Sequence, residues 1–518
     1  MKLYNKLLLG AALFSMVSCT EDFEEMNISP NQPANATPAQ LLATAQYNYA
    51  TNIGDAWNNG RMGMYYAQYW SSTQYTDESR YQIREGVNQT MWNTFYADVL
   101  RELTTAQEIE AENQLNGYEN RIAIAEIMKA LTFHTLSDIY GGPVPYSEAL
   151  STENVTPKYD NGKEIYLGVL NTLDEQIAIL DESSPGFQSG DIIYGGDVTL
   201  WKKFANSLRL RIALRMYEAD QATATEHITK ALNSDAGFIS SNAEGAKFAW
   251  IAGAPNNNPL AEAYKTRIDF SVSEPFIDYL QKYDDPRVTV FARPLGSGNP
   301  FGSSFTPILD ANGNPQYVGE TYGLDAGNGN SNGDAKVVSL PGDYVIGETA
   351  PTYILSHAEV EFMLAEVAAR GIAGTPMSAE EHYEAGIRSS FEAAGLSEAA
   401  FEEYLTEVPY SESRTANQAP DLETALDLIG SQKWIAMYGQ GVQAWFERLR
   451  LDFEDPYTGE PIFVAPADGS VDPDVTMVPF RMSYPVTEAS LNGTNYADAV
   501  QRIGGKNSLG VRPWWDVK

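Results

Sequence analysis

Aromatic residues crowd the stretch WNNGRMGMYYAQYWSSTQYTDESRY (57–81), among them Trp57, Tyr65, Tyr66, Tyr69, Trp70 and Tyr75. Asn58, Asn59 and Arg61 stand between them. This inventory suits non-covalent capture of sugars, whose C–H faces stack on Trp and Tyr while amides and guanidinium groups hydrogen-bond the hydroxyls. Tyr65, Tyr66, Tyr69 and Trp70 also fall at the helical spacing of a core face. Trp57, beside two asparagines, is the clearer platform. A second set lies in the middle of the chain: Asn256, Asn257, Asn258, Tyr264 and Tyr322. Asn residues in such a loop serve equally well to close turns on themselves.

Covalent and metal chemistry find weaker footing. Ser331 sits in GNSNG (329–333), a literal G-x-S-x-G, yet the motif needs a strand before it and a helix after it. Here it lies in an Asn/Gly run. Of the four histidines, His134 stands one helical turn from Asp138, and two ligands do not make a site. His382 falls among Glu380, Glu381 and Glu384, the look of a solvated helix face. Asp310 and Asn312 open a stretch with the spacing of a calcium loop, but Pro315 replaces the required glycine and Thr321 the bidentate glutamate. Asp325 and Asp334 offer further oxygens without a template. No catalytic residue and no cofactor is therefore assigned, and calcium remains the one metal the oxygens would suit.

The single cysteine of the chain, Cys19, asks for a chemical reason. Lys2 and Lys6 precede the apolar run LLLGAALFSMV (7–17), which is shorter than the roughly 20 residues a spanning helix needs. Ser18 then supplies the small residue of a cleavage region. The pattern resembles a bacterial lipoprotein signal: residues 1–18 are the leader, and Cys19 becomes the lipidated first residue of a tether over 19–38. Several acyl chains on one cysteine give stable anchoring where a single chain gives little. The acidic tract EDFEE (21–25) resembles an export signal to the outer face of the outer membrane.

Composition closes off other classes. Thirty-four basic residues against sixty-nine acidic ones give −35, the wrong sign for nucleic acid or for a basic patch on anionic lipid. That balance also weighs against acidic polysaccharides unless the fold assembles a local basic patch. Hydrophobic residues at 43% are ample for a globular core.

The elements that must position these groups read as helices. Apolar residues recur at steps of three and four through 90–110, 120–140, 164–180, 201–219, 356–370, 379–395 and 424–451. The chain is mostly α, with helices arriving in pairs. Residues 39–518 read as one domain: a helical scaffold over 39–239 and 353–451, a loop-rich insertion over 240–352 and an irregular region over 452–518. The insertion holds a short helix near 273–283 and a hairpin at 308–319, where Asn312-Gly313 supplies the turn. Long irregular segments of this kind usually carry function. In the scaffold, Arg209, Arg211 and Arg215 read as partners for buried carboxylates or carbonyls.

Ordered strings then point to a family. NISPNQPANATPAQLLATA (27–45), SDIYGGPVPYSEAL (137–150), GDVTLWKKFANSLRLRIALRM (196–216) and YDDPRVTVFARP (283–294) resemble segments of the SusD/RagB nutrient-binding lipoproteins. So do SHAEVEFMLAEVAARG (356–371), AWFERLR (444–450), FRMSYPVTEASLN (480–492) and PWWDV (513–517). The resemblance implies a right-handed superhelix of tetratricopeptide-like helix pairs whose loops carry the ligand. It implies a partner as well, a TonB-dependent outer-membrane barrel of the SusC type, to which a captured oligosaccharide or peptide is passed without catalysis. The alternative is a surface glycan- or peptide-degrading enzyme on the same scaffold.

Overall fold

Helix α1 (Pro38–Gly54) starts where local chemistry says it should. Pro38 occupies the first turn, Thr37 Oγ1 accepts the Gln40 N–H at 3.3 Å, and the Gln40 side chain returns to the Thr37 N–H at 2.9 Å. A computed structural model describes residues 36–518 apart from 152, 299–300, 302–305 and 413–419, so Cys19, the leader and nearly all of the tether lie outside the described residues. The other long helices are α2 (Arg101–Asn113), α3 (Tyr118–Ile139), α4 (Gly162–Ile179), α5 (Val198–Arg215), α6 (Gln221–Leu232), α7 (His357–Ala369), α8 (Ala379–Ala393), α9 (Leu422–Ala436) and α10 (Gly441–Leu451). Neighbours in sequence pack side by side: α2 on α3, α3 on α4, α5 on α6, α7 on α8 and α9 on α10. This is the mostly helical, tetratricopeptide-like architecture expected from the sequence. Among the described residues no helix is long and apolar enough to cross a membrane.

The periodic run 424–451 is two helices. Its stripe continues across a break at Met437–Gln440, where Gly439 takes φ +97° and the Gln440 N–H closes on the Met437 carbonyl at 2.8 Å. Strands are few and short: β1 (Trp70–Ser72), β2 (Val144–Pro145), β3 (Tyr159–Asp160), β4 (Ala246–Phe248), β5 (Phe270–Val272) and β6 (Thr352–Leu355). They pair antiparallel as β1–β5, β2–β3 and β4–β6. The β1–β5 pair, in register Trp70 to Val272, fastens the N-terminal aromatic stretch to the middle insertion.

Buried ion pairs hold the helices to one another. Arg211 on α5 reaches Glu359 on α7 with Nε and Nη2 at 2.6 and 2.7 Å, both side chains buried. Arg215 meets Glu447 on α10 at 3.1 Å. Glu447 also receives Lys433 of α9 at 2.8 Å and Arg450 at 2.7 Å, and Arg450 forks onto Glu366 of α7 at 2.6 and 2.7 Å. Arg209 takes Asp174 of α4 at 2.5 Å. The histidines are structural. His134, buried 3.5 Å from Asp138, is held well below the ordinary histidine range by burial and then by Arg215 and Arg211. His382 is corrected: it is 1% exposed, with Nδ1 2.7 Å from Glu361, so α8 turns it inward.

Burial alone would raise the Glu366 carboxyl, but Arg450 and Arg370 together bring it down to about 2. The stability it contributes is therefore complete above its ordinary value of 4.5 and is lost as the pH falls toward about 2. Glu366→Gln should lower stability at neutral pH by about 3–5 kcal/mol, because it takes one of two buried carboxylates from Arg450 and a buried partner from Arg370. It should also flatten the acid limb between those two values. Urea denaturation across that range reads both effects.

Candidate ligand-binding site

The segment after α1 is a π-helix, Ala56–Gly63, started by Asp55, whose Oδ1 accepts the N–H groups of Trp57 at 2.9 Å and Asn58 at 2.6 Å. A π-turn inside a helical run widens the backbone and recurs at functional sites. The segment lies flush on α10 because both sides of the crossing are glycine. A Cβ on Gly63 would strike the Val442 backbone, and one on Gly441 would strike Met64 and Gly63. This contact aims one face inward and leaves Trp57 outside.

The structure divides the predicted aromatics sharply. Tyr65, Tyr66, Tyr69 and Trp70 are at most 2% exposed and belong to the core, which corrects their assignment as ligand contacts. Tyr69 stacks on Trp434 and gives its hydroxyl to the Trp434 carbonyl, and Trp70 stacks on Phe270 while its Nε1 donates to Tyr438 at 2.8 Å. The helical spacing already carried this outcome. Asn58 and Asn59 are buried too, donating to Asn52 Oδ1 at 2.8 Å and to the Gly439 carbonyl at 2.9 Å. Of the second set, Asn256 is exposed, Asn257 donates to Glu262 at 2.8 Å, and Asn258 caps the helix Pro259–Thr266 and donates to the Ala350 carbonyl at 2.7 Å. Tyr264 and Tyr322 are buried, their hydroxyls on the carbonyls of Phe270 and Tyr65. Packing and loop closure account for this group.

The carboxylates considered for calcium accept hydrogen bonds from neighbouring backbone and from Thr76. Asp310 Oδ1 accepts the N–H groups of Asn312 and Asn314, both at 2.8 Å, and closes the expected turn through Gly313 at φ +87°. Asp325 takes Thr76 Oγ1 at 3.1 Å and the Ala326 N–H at 2.7 Å, and Asp334 takes the Lys336 N–H at 3.0 Å. Among the described residues no three His, Cys, Asp or Glu gather as metal ligands. Ser331 gives its hydroxyl to Glu320.

Two predicted aromatics remain at the surface: Trp57 at 40% and Tyr75 at 48% exposure. Between them lies Arg61, its guanidinium carbon 4.3 Å from the Trp57 ring centre and 5.1 Å from that of Tyr75. Arg84 stands 5.8 and 5.1 Å from the same two rings, and Arg267 lies 4.7 Å from Tyr75 and donates to its hydroxyl at 2.9 Å. Beneath them sit two buried carboxylates. Glu78 pairs with Arg61 at 2.6 Å and with Arg84, and Asp269 pairs with Arg61 and Arg267. Tyr75 is held at φ +54°, a conformation that bulky residues rarely adopt and that clusters at ligand clamps. The N-terminal stretch and the middle insertion, read from the sequence as separate surfaces, thus form one. Arg84, Arg267, Glu78 and Asp269 were not among the predicted site residues. Their one sequence signal is an arginine following closely on an aromatic run in a chain poor in cations.

A larger open cleft of about 500 Å³ lies elsewhere, lined by Glu274, Asp278, Tyr279, Lys282, Tyr322 and Glu460 among others. Tyr279 and Tyr322 are at most 5% exposed, so it offers no aromatic face for stacking. The Trp57–Tyr75 surface is the better candidate.

Comparison with known proteins agrees with this architecture. A family model described as starch-binding associating with outer membrane matches residues 30–485. The chain belongs to the SusD-like family. Among solved structures, a chitin-binding protein is 28% identical with a TM-score of 0.76, covering 93% of this chain and 100% of its own. A chitin-binding SusD homologue from Flavobacterium johnsoniae (24% identity, TM-score 0.74, 92% and 99% coverage) and a SusD homologue from Bacteroides uniformis (24%, 0.75, 92% and 99%) share the fold. No curated protein sequence matches the chain.

Trp57→Ala and Tyr75→Ala should leave the thermal midpoint nearly unchanged, since both rings are half in solvent. Trp70→Ala should cost about 3–5 kcal/mol by emptying a core site. Thermal unfolding of the three variants checks the division between platform and core.

Proposed function

We propose that this SusD-like protein is a surface capture protein: it binds an oligosaccharide on the Trp57–Tyr75 platform and passes it to a SusC-type TonB-dependent barrel. The observation that carries the reading is the pair of exposed rings, Trp57 and Tyr75, held by the buried Arg61 and standing beside the exposed Arg84, an arrangement that stacks sugar faces and donates to hydroxyls. The family's association with the outer membrane supports the location. Lipidation at Cys19 supplies the anchor in this account, and the acidic tract 21–25 supplies export to the outer face. Names of relatives that bind chitin make N-acetylglucosamine oligomers the first probes. Peptide is the second ligand class to try.

Residues 20–518, freed of the anchor, should show saturable calorimetric binding to one oligosaccharide class and release no cleavage products. Trp57→Ala should weaken that binding about tenfold or more, the loss of one stacked ring. Product formation would favour a degrading enzyme instead. A ligand bound equally well by Trp57→Ala would move the site off this platform.

A further inference from the structure

The chain carries a charge of −35, yet its candidate platform is cationic. Three guanidinium groups, those of Arg61, Arg84 and Arg267, stand within 5.1 Å of the Tyr75 ring centre. Two carboxylates, Glu78 and Asp269, lie against them, so these five groups together carry one positive charge in excess. The arrangement is also layered. The carboxylates are buried, with side chains 3% and 8% exposed, while Arg84 and Arg267 are 40% and 43% exposed. Negative charge is thus beneath and positive charge outermost. Of the acids nearest in sequence, Asp55 is turned into the start of the π-helix by two N–H groups, Asp77 pairs with Arg80 at 3.5 Å, and Glu85 lies in the first turn of the helix Glu85–Asn93.

The guanidinium edges are unequally used. Arg267 gives Nε and Nη2 to Asp269 and Nη1 to the Tyr75 hydroxyl. Arg84 is bonded to Glu78 through Nε alone, so its two terminal nitrogens face solvent beside both rings. A planar fork of donors with a free edge is suited to a carboxylate, which it can meet with two parallel hydrogen bonds. Lying between apolar faces strengthens that pairing, because ring and sugar carbons exclude water from it. A neutral sugar needs donors and acceptors but no excess of charge. Keeping a net cation in a chain with twice as many acids as bases favours an anionic guest.

Resting on the platform reading above, we infer that the ligand class is a uronate-type acidic glycan, its ring stacked on Trp57 or Tyr75 and its carboxylate on the free edge of Arg84, with Arg267 alongside.

The test uses tetrasaccharides of galacturonate, mannuronate and hyaluronan, each beside its carboxyl-reduced counterpart, with chitotetraose and maltotetraose as neutral probes. Calorimetry is run on the wild type, Trp57→Ala, Arg84→Gln and Arg267→Gln. In both arginine variants the buried carboxylate keeps Arg61, and circular dichroism confirms folding. The inference expects at least one acid to bind about tenfold tighter than its reduced form, with that preference lost in Arg84→Gln and weakened by salt. Trp57-dependent binding of a neutral probe, with every acid no better than its reduced form, overturns the inference and leaves the platform standing. An acid preference that survives both arginine variants overturns the assignment to this site. Silence from every saccharide, acidic and neutral, overturns the platform reading together with the inference.

Discussion

The buried pairing of arginines and one lysine with glutamates across α5, α7, α9 and α10 is the constraint on which the rest depends. Glu447 alone receives Arg215, Lys433 and Arg450, and Arg450 carries the link on to Glu366. Burying these charges is costly, and the cost is offset only while every partner keeps its geometry. The network therefore fixes how the C-terminal helix pair sits against the middle of the chain. Through α10 it fixes more. The glycine crossing of Gly441 on Gly63 seats the π-helix, and the π-helix places Trp57 and Arg61.

The candidate site repeats the device at the surface. There too arginines are paired with buried carboxylates, but the pairing is incomplete and one edge is left to solvent. Full satisfaction inside gives a rigid frame, and partial satisfaction outside gives a receptive face. The β1–β5 pair joins the two because it brings Asp269 and Arg267 beside residues about two hundred positions earlier in the chain.

Much of the scaffold was legible in the letters. Helices declared themselves by three- and four-residue recurrence, and in the structure a cap such as Ser356, whose Oγ accepts the Glu359 N–H at 3.2 Å, starts them. Arg211 and Arg215 read as structural because a guanidinium on an apolar helix face must find an anion, although nothing local names which one. The strings that resemble the family found similar employment: Arg287 of YDDPRVTVFARP forks onto Asp285 and reaches Gln432 at 2.8 Å, and Trp515 of PWWDV donates to Asp138 at 3.0 Å. The site was legible only in part. Trp57, Arg61 and Tyr75 lie in one run, and the same run holds four aromatics whose periodicity sends them to the core. Arg267 and Asp269 join through a strand pairing that no local pattern encodes, and His382 looked solvated because a partner on a different helix cannot be read from its own neighbours.

Trp57 is the most exposed of the nine tryptophans, at 40%; Trp514 is partly buried against Tyr166, and Trp70, Trp92, Trp201, Trp250, Trp434, Trp445 and Trp515 are buried at 6% or less. Tryptophan emission is therefore a direct reporter on the claim that ligand rests on this ring. Titration with a saccharide that binds by calorimetry should shift or quench the emission, and Trp57→Phe should abolish the optical signal while retaining most of the heat. Heat of binding with unchanged emission, or an emission change indifferent to Trp57→Phe, would contradict the account.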